Sequence, residues 1–277
     1  MKLGVIGAKL GHSCSPAIHE KFFRIMHETD KHQYGILEMD RNHVGSELER
    51  LSNEHYTGMN VTIPYKLDVM PFLTDISPEA RIIGAVNTIH VTPEGSFGYN
   101  TDYGGFGRSL EHAGIDVKNK HYVVLGTGGS ARAIIQYLPD HDAASITVVS
   151  RHPHTKPQFD EFSKDTDAEL INYDDLAHLK EKNDVLVNCT PVGMFPKMDA
   201  SPISEEIAAR FPAVVDLIYN PKDTKMLQYA EKHGAKTLNG MFMLVAQAIE
   251  SEEIWRNQKI DSSVIAQIAK EMEHYYE

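Results

Sequence analysis

The chain reads as an α/β protein in two parts, and three observations carry that reading. Short apolar runs with strand-like patterning alternate with amphipathic helical segments along its length. Near residue 120 the alternation changes character: earlier strands end in polar residues, whereas the next runs straight into a glycine-rich turn. Beyond that turn the strands are parallel-type apolar runs, each followed by a loop and a helical stretch, as in a doubly wound sheet.

Composition sets the outer limits. At 277 residues the chain can hold one large or two modest domains, and 42% hydrophobic with 24% charged residues is ordinary for a globular protein. Lys and Arg number 27 against 39 Asp and Glu, a net charge of −12. That balance argues against nucleic acid or an anionic membrane as a partner, so an anionic ligand must be met by local donors and a few placed cations. Cys14 and Cys189 lie far apart without metal-ligand spacing and are expected as free thiols in a reducing cytoplasm. The fifteen histidines form no HExxH pattern, so no metal is expected. No apolar run is long enough to span a bilayer, and the first one is too short for a signal peptide. A cytoplasmic monomer or homodimer is the expectation.

In chain order, residues 1–7 form a first strand. Ser15 and Pro16 open a helix, Ser15 as its cap and Pro16 at its first position, with Ile18, Phe22, Ile25 and Met26 on its inner face. Capping does not require a second hydroxyl at Ser13, and paired hydroxyls beside a helix start suit a carboxylate. A strand at 33–39 and a polar helix at 43–51 follow. The stretch 60–66 (Asn-Val-Thr-Ile-Pro-Tyr-Lys) is a strand halted by Pro64, delivering Thr62 and Lys66 to its end, with a helix-like segment beyond. A helix from Ser77-Pro78 ends at Gly84, and strands at 85–91 and 96–99 flank a Pro-Glu-Gly turn. Asn87 and Asp102 each leave an apolar run. Lysine, aspartate, asparagine and threonine gathered at strand ends would grip and deprotonate a polyhydroxylated small molecule.

The strand 121–125 leads into Gly126-Thr127-Gly128-Gly129-Ser130-Ala131, then a helix closed by Pro139. This is the context of the dinucleotide fingerprint: Gly126 for the tight turn, Gly128 for close approach of a pyrophosphate, Ala131 for helix–strand packing. The strand 145–149 ends in Ser150-Arg151 where an NAD-binding chain carries an acid, and a hydroxyl with a guanidinium suits the 2′-phosphate of NADP. Strands at 184–189 and 213–218 deliver loops with Thr190 and Tyr219 to the edge where such sheets bind ligands. A short strand near 236–238 precedes Asn239-Gly240, and a helix with Met243 and Gln247 follows; a last amphipathic helix starts at 261–263.

Six of these motifs, in order, make the chain resemble the shikimate dehydrogenase family over nearly its whole length. They are 13–16, 60–66, 84–88 (Gly-Ala-Val-Asn-Thr), 98–102 (Gly-Tyr-Asn-Thr-Asp), 126–133 with Ser150-Arg151, and 239–247. The resemblance implies a substrate-binding domain over 1–102, a Rossmann-like NADP domain over 103–237, and a helical segment 238–277 returning to the first. It implies NADP-linked interconversion of shikimate and 3-dehydroshikimate. Ser13 and Ser15 would hold the carboxylate, with Tyr219 near it. Thr62, Asn87, Asp102 and Gln247 would hold ring hydroxyls, with Lys66 and Asp102 at the reacting one. Gly240 and Met243 would line the nicotinamide, and Thr190 joins residues 126–131, Ser150 and Arg151 as a cofactor contact. Lys9, Glu20, Tyr103 and the Ser150-Arg151-His152 run depart from the family's commoner residues, and none removes a proposed catalytic group. A quinate/shikimate paralogue using NAD or NADP is the nearest alternative, to which the serine pair is the less suited. A noncatalytic NADP-binding regulator is the alternative from another class, and it would have no use for Lys66 and Asp102.

Overall fold

A computed structural model describes residues 1–11, 13–179, 183–273 and 275–276. They form two compact units: Met1–Gly105 with Val245–Met272, and Phe106–Leu244 with the described residues after Met272.

The first unit contains β1 (Lys2–Gly7), α1 (Ser15–Ile25), β2 (Gln33–Glu38), α2 (Val44–Asn53), β3 (Tyr56–Val61), β4 (Asp75–Ile76), α3 (Pro78–Ile83), β5 (Thr88–Thr92) and β6 (Gly95–Tyr99). Its sheet runs β2-β1-β3-β5-β6-β4. β1 pairs in parallel with β2 and β3, while β5 is antiparallel to both β3 and β6. The strict strand–helix alternation therefore ends at β3, and β5 and β6 follow one another as antiparallel neighbours joined by a tight turn. The segment after Lys66 is a series of turns with one 3₁₀ turn, Met70–Phe72, rather than a helix. Prolines at 64 and 71 leave too few residues between them for a stable α-helix. Ile6, Leu48, Leu51, Met59, Val61, Tyr65, Val86 and Ile89 pack into one core against this sheet.

The start of α1 also differs from the sequence reading. Cys14 occupies the cap, Ser15 is already helical, and Ser13 Oγ accepts the Ser15 N–H at 3.4 Å. Pro16 thus falls one position further in, where its missing N–H is still one of the orphans of the first turn.

The second unit is built on β7 (His121–Leu125), β8 (Ser145–Val149), β9 (Ala168–Ile171), β10 (Val185–Asn188), β11 (Ala213–Asp216) and β12 (Lys236–Leu238). Their order is β12-β11-β10-β7-β8-β9 with every pair parallel. The chain moves outward from β7 through β8 to β9, then restarts beside β7 with β10, so the order reverses between β7 and β10. The helices are α4 (Thr101–Ala113), α5 (Gly129–Asp140), α6 (Pro157–Asp165), α7 (Tyr173–His178), α8 (Glu205–Ala208) and α9 (Lys225–Lys232). Alternate strand residues enter two cores: Tyr122, Val124, Val185 and Val187 join one, Val123, Leu125 and Leu186 the other. Burial on both faces is why these strands read as unbroken apolar runs. α5 includes Pro139 and ends one residue later, the lost N–H falling in its last turn.

α10 (Met241–Arg256) and α11 (Ser262–Met272) complete the chain. The unit boundaries fall inside α4 and α10, at 105/106 and 244/245. The side chains show why. Phe106 and Met243 sit in a core of the second unit, whereas Trp255 donates its indole N–H to Ile89 O at 2.9 Å within the first.

Candidate active site

In the first unit, backbone pairing brings three predicted residues together. Val61 N–H donates to Asn87 O at 2.7 Å, Asn87 N–H to Tyr99 O at 3.0 Å, and Val86 N–H to Lys66 O at 2.7 Å. The ends of β3, β5 and β6 are thereby stitched side by side. Lys66 Nζ donates to Asp102 Oδ2 at 2.5 Å, and Asn87 Nδ2 donates to Asp102 Oδ1 at 2.9 Å. Lys66 and Asp102 are 9% and 6% exposed, so the ion pair is largely withdrawn from solvent and little screened. Asp102 lies in the first turn of α4, where the helix dipole favours a carboxylate. Its own N–H donates to Asn100 Oδ1 at 3.1 Å, which caps that turn. Both carboxylate oxygens of Asp102 are engaged, by a cation on one side and an amide on the other.

The other candidates of this unit sit at its strand and helix ends. Thr62 follows β3 and extends its ladder through Thr62 N–H to Ile6 O, 2.9 Å, leaving its half-buried side chain at the strand end. Ser13 and Ser15 are half-buried at the start of α1. Gln247 projects from α10, with Oε1 at 3.5 Å from Thr101 Oγ1. Tyr219 belongs to the second unit, where its ring stacks on Tyr276 with centroids 6.0 Å apart.

The carboxyl edge of the second sheet is in register. Leu125 pairs with Asn188 and Val149, and Asn188 with Asp216, so residues 126, 150, 189 and 217 all leave the sheet at one level. Gly126 has φ +107°, a conformation that favours glycine, and a Cβ there would lie 3.1 Å from Thr190 Cγ2. Gly128 has ordinary φ but nothing within 4 Å of a Cβ position, so its backbone is open to close approach. Gly129, Ser130 and Ala131 form the first turn of α5, whose N-terminus carries no side-chain cap. Thr127 and Ser150 line a cavity with His152, His154, Lys156, Phe159, Asp160 and Leu170. Lys156 Nζ donates to Thr127 Oγ1 at 3.4 Å. Arg151 is exposed and is not among those lining side chains; its charge acts on Tyr173 of α7. An open glycine turn, a helix start without a side-chain cap and a cation-bearing cavity after β8 fit the pyrophosphate and 2′-phosphate of NADP.

Thr190 is held from below. Its N–H and hydroxyl donate to Asn188 Oδ1 at 3.0 and 2.7 Å, and Asn188 Nδ2 donates to Asp216 Oδ1 at 3.0 Å. Asp216 also accepts from Thr224 Oγ1 at 2.7 Å and Ile218 N–H at 3.1 Å. Burial pushes its carboxyl up to about 6, against these three donors. A Cβ on Gly240 would lie 2.0 Å from Leu217 O, so that crossing admits only glycine. Met243 is 7% exposed and packs into the core.

Two groups escaped the sequence reading. Lys156 could have been found as a second basic residue in the loop after Ser150-Arg151. Ser251, four residues after Gln247 on α10, is fully buried and hydrogen-bonded to Asn60 and Thr88. Among the described residues no group of three or more His, Cys, Asp or Glu could hold a metal, and no helix is long and apolar enough to cross a membrane.

A parallel sheet reversing beside a glycine turn, and a second α/β unit with a buried lysine–carboxylate pair, define an NADP-dependent oxidoreductase of two α/β units. Within that class the chain belongs to the shikimate dehydrogenase family. Residues 5–89 match the family's "Shikimate dehydrogenase substrate binding domain" and residues 109–228 match "Shikimate / quinate 5-dehydrogenase". The chain is 42% identical over 273 residues to the shikimate dehydrogenase (NADP(+)) of Clostridium perfringens, covering 98% of each chain. It is similar in structure to a chorismate mutase/shikimate 5-dehydrogenase fusion protein from Clostridium acetobutylicum, at TM-score 0.92 and 43% identity over 99% of this chain and 97% of that one. It is also similar to the Thermus thermophilus shikimate 5-dehydrogenase solved with NADP(H) and shikimate, at TM-score 0.85 and 28% identity, covering 98% and 99%.

Proposed function

We propose that this chain catalyses the reversible, NADP-linked interconversion of shikimate and 3-dehydroshikimate, a step of chorismate and aromatic amino-acid biosynthesis. The observation that carries the reading is the buried Lys66–Asp102 pair at 2.5 Å, braced by Asn87. Oxidising a secondary alcohol requires removal of the hydroxyl proton as hydride leaves the adjacent carbon; the reverse requires a proton donor at a carbonyl oxygen. Bound NADP supplies the hydride acceptor in one direction and, when reduced, the donor in the other. Lys66 and Asp102 act as one proton-transfer pair at the reacting hydroxyl, and their burial keeps the exchanged proton from bulk water.

Asn87, Thr62 and Gln247 are assigned to the remaining ring hydroxyls, and Ser13, Ser15 and Tyr219 to the carboxylate. Gly126 through Ala131 take the pyrophosphate, Ser150 and Arg151 the 2′-phosphate, and Thr190, Gly240 and Met243 the side of the nicotinamide. The domain holding residues 1–102 is the substrate domain in this reading, and 103–237 the cofactor domain. Cys14 and Cys189 carry thiols rather than disulfides, and we place the enzyme in the cytoplasm as a monomer or homodimer.

An absorbance assay for reduced cofactor, crossing shikimate and quinate with NADP and NAD, tests the reading. The expected result is fastest turnover with shikimate and NADP. Faster turnover of quinate would move the substrate assignment, and no turnover in any combination would leave a nucleotide-binding protein without this chemistry.

A further inference from the structure

Behind the ion pair lies a buried polar cluster that the chemistry above does not use. Asn60, Thr88, Thr101 and Ser251 are 6%, 0%, 0% and 0% exposed. Ser251 Oγ accepts from Asn60 Nδ2 at 2.8 Å and lies 2.8 Å from Thr88 Oγ1, 3.4 Å from Thr101 Oγ1 and 3.0 Å from Gln247 O, so its one proton serves a single one of these oxygens. Both threonines continue to Asn87 Oδ1, at 3.1 and 3.2 Å.

The direction of these bonds is constrained. Thr101 N–H, which can only donate, points at Asn87 Oδ1 at 2.7 Å. The amide oxygen of Asn87 therefore faces Thr101, and its NH₂ must face Asp102. Asn60 is fixed likewise: the Tyr34 hydroxyl donates to its Oδ1 at 2.7 Å, and its Nδ2 faces the oxygens of Ser251 and Thr88. Burial pushes the Tyr34 phenol well above its ordinary pKa, keeping it a donor. Ser251 stands where these chains meet, on the helix that also carries Gln247.

We propose that Ser251 is a positioning residue: its hydroxyl donates to Thr88, whose own proton goes to Asn87 Oδ1, and this relay braces against Asp102 the amide orientation that the Thr101 N–H selects. This rests on the assignment of Asn87, Asp102 and Gln247 to substrate made above. Turning the Asn87 amide over would set its NH₂ against the Thr101 N–H, donor against donor, and the hydroxyl relay adds a second hydrogen bond to the state that avoids this.

The test is a double-mutant cycle on the full-length enzyme with Ser251→Ala, Thr88→Val and the pair, measuring kcat and KM for both substrates. Each single change should lower kcat/KM for shikimate by about tenfold, the size expected for one buried hydrogen bond in a coupled network. KM for NADP should stay within about twofold of the starting enzyme on the same grounds. The double variant should lose little more than the worse single one, since both break one chain. An active wild type whose folded Ser251→Ala form retains its shikimate kcat/KM would overturn the proposal; so would losses that simply multiply. Thr88→Val decides the matter if Ser251→Ala does not fold: an unchanged shikimate kcat/KM there is equally fatal. A wild type inactive on shikimate would remove the functional reading, and this inference with it.

Discussion

The two units prepare for a ligand by different means. In the first, side chains do it: Lys66, Asn87 and Asp102 are buried and hydrogen-bonded to one another, with a further polar layer behind them. In the second, the backbone does it: Gly126 takes a turn that favours glycine, and α5 begins with uncapped N–H groups. The cations there, Arg151 and Lys156, are exposed. The difference follows from the task. Proton transfer needs donors and acceptors fixed in a low-dielectric place before the ligand arrives. A pyrophosphate can be met by peptide N–H groups that the fold already aligns, and exposed cations then tune which nucleotide is preferred.

The contrast makes the two regions separable by mutation. The largest effect belongs to the buried pair. Lys66→Ala should cut turnover by at least about a hundredfold, the lower end for general acid–base catalysis. NADP affinity, read by titrating cofactor fluorescence, should hardly change; a parallel loss of affinity would erase the distinction between the regions. Arg151→Asp comes next. Losing one charge-assisted phosphate contact and adding repulsion should lower the NADP-to-NAD ratio of kcat/KM by about tenfold or more. If the ratio holds in that variant and falls in Lys156→Ala, the cavity after β8 rather than the strand end reads the phosphate.

The smallest effect sharpens the comparison, because Asp216 is a buried carboxylate on the backbone-built side. Its folded pKa of about 6 lies above the ordinary 3.8. The folded state therefore binds this proton more tightly than the unfolded chain. The stability it contributes is full below about pH 4 and is lost as pH rises through 6, an effect of roughly 3 kcal/mol. Asp216→Asn removes that dependence. The melting temperature of the variant, relative to the parent, should climb between pH 4 and 7; a constant difference would mean that the carboxyl titrates normally.

Much of the architecture was legible because it is written in local periods. A strand halted by Pro64 marked β3, a Pro-Glu-Gly turn marked β5 and β6, and unbroken apolar runs marked β7, β8, β10 and β11. The elements that escaped are those with weak local signals. β4 has two residues, and the helix expected after Lys66 failed between two prolines. The first residue of α1 was displaced because Ser13, rather than Ser15, answers the leading N–H. Arg151 stood out in the sequence as the strand-end cation, yet only coordinates show Lys156 facing the cavity with Thr127.

From residue order alone one could determine that two α/β parts follow one another, that the second opens with a nucleotide-type glycine turn, and that Lys66 leaves a strand. Those properties depend on neighbours a few positions away. The partners of each polar group were decided by tertiary structure: Asn60 meets Ser251 across 191 positions, and Asp216 gathers donors from the loop that follows it and from a neighbouring strand. Hydrogen bonds act over about 3 Å of space whatever their separation along the chain, and which groups come that close is set by sheet order and helix packing.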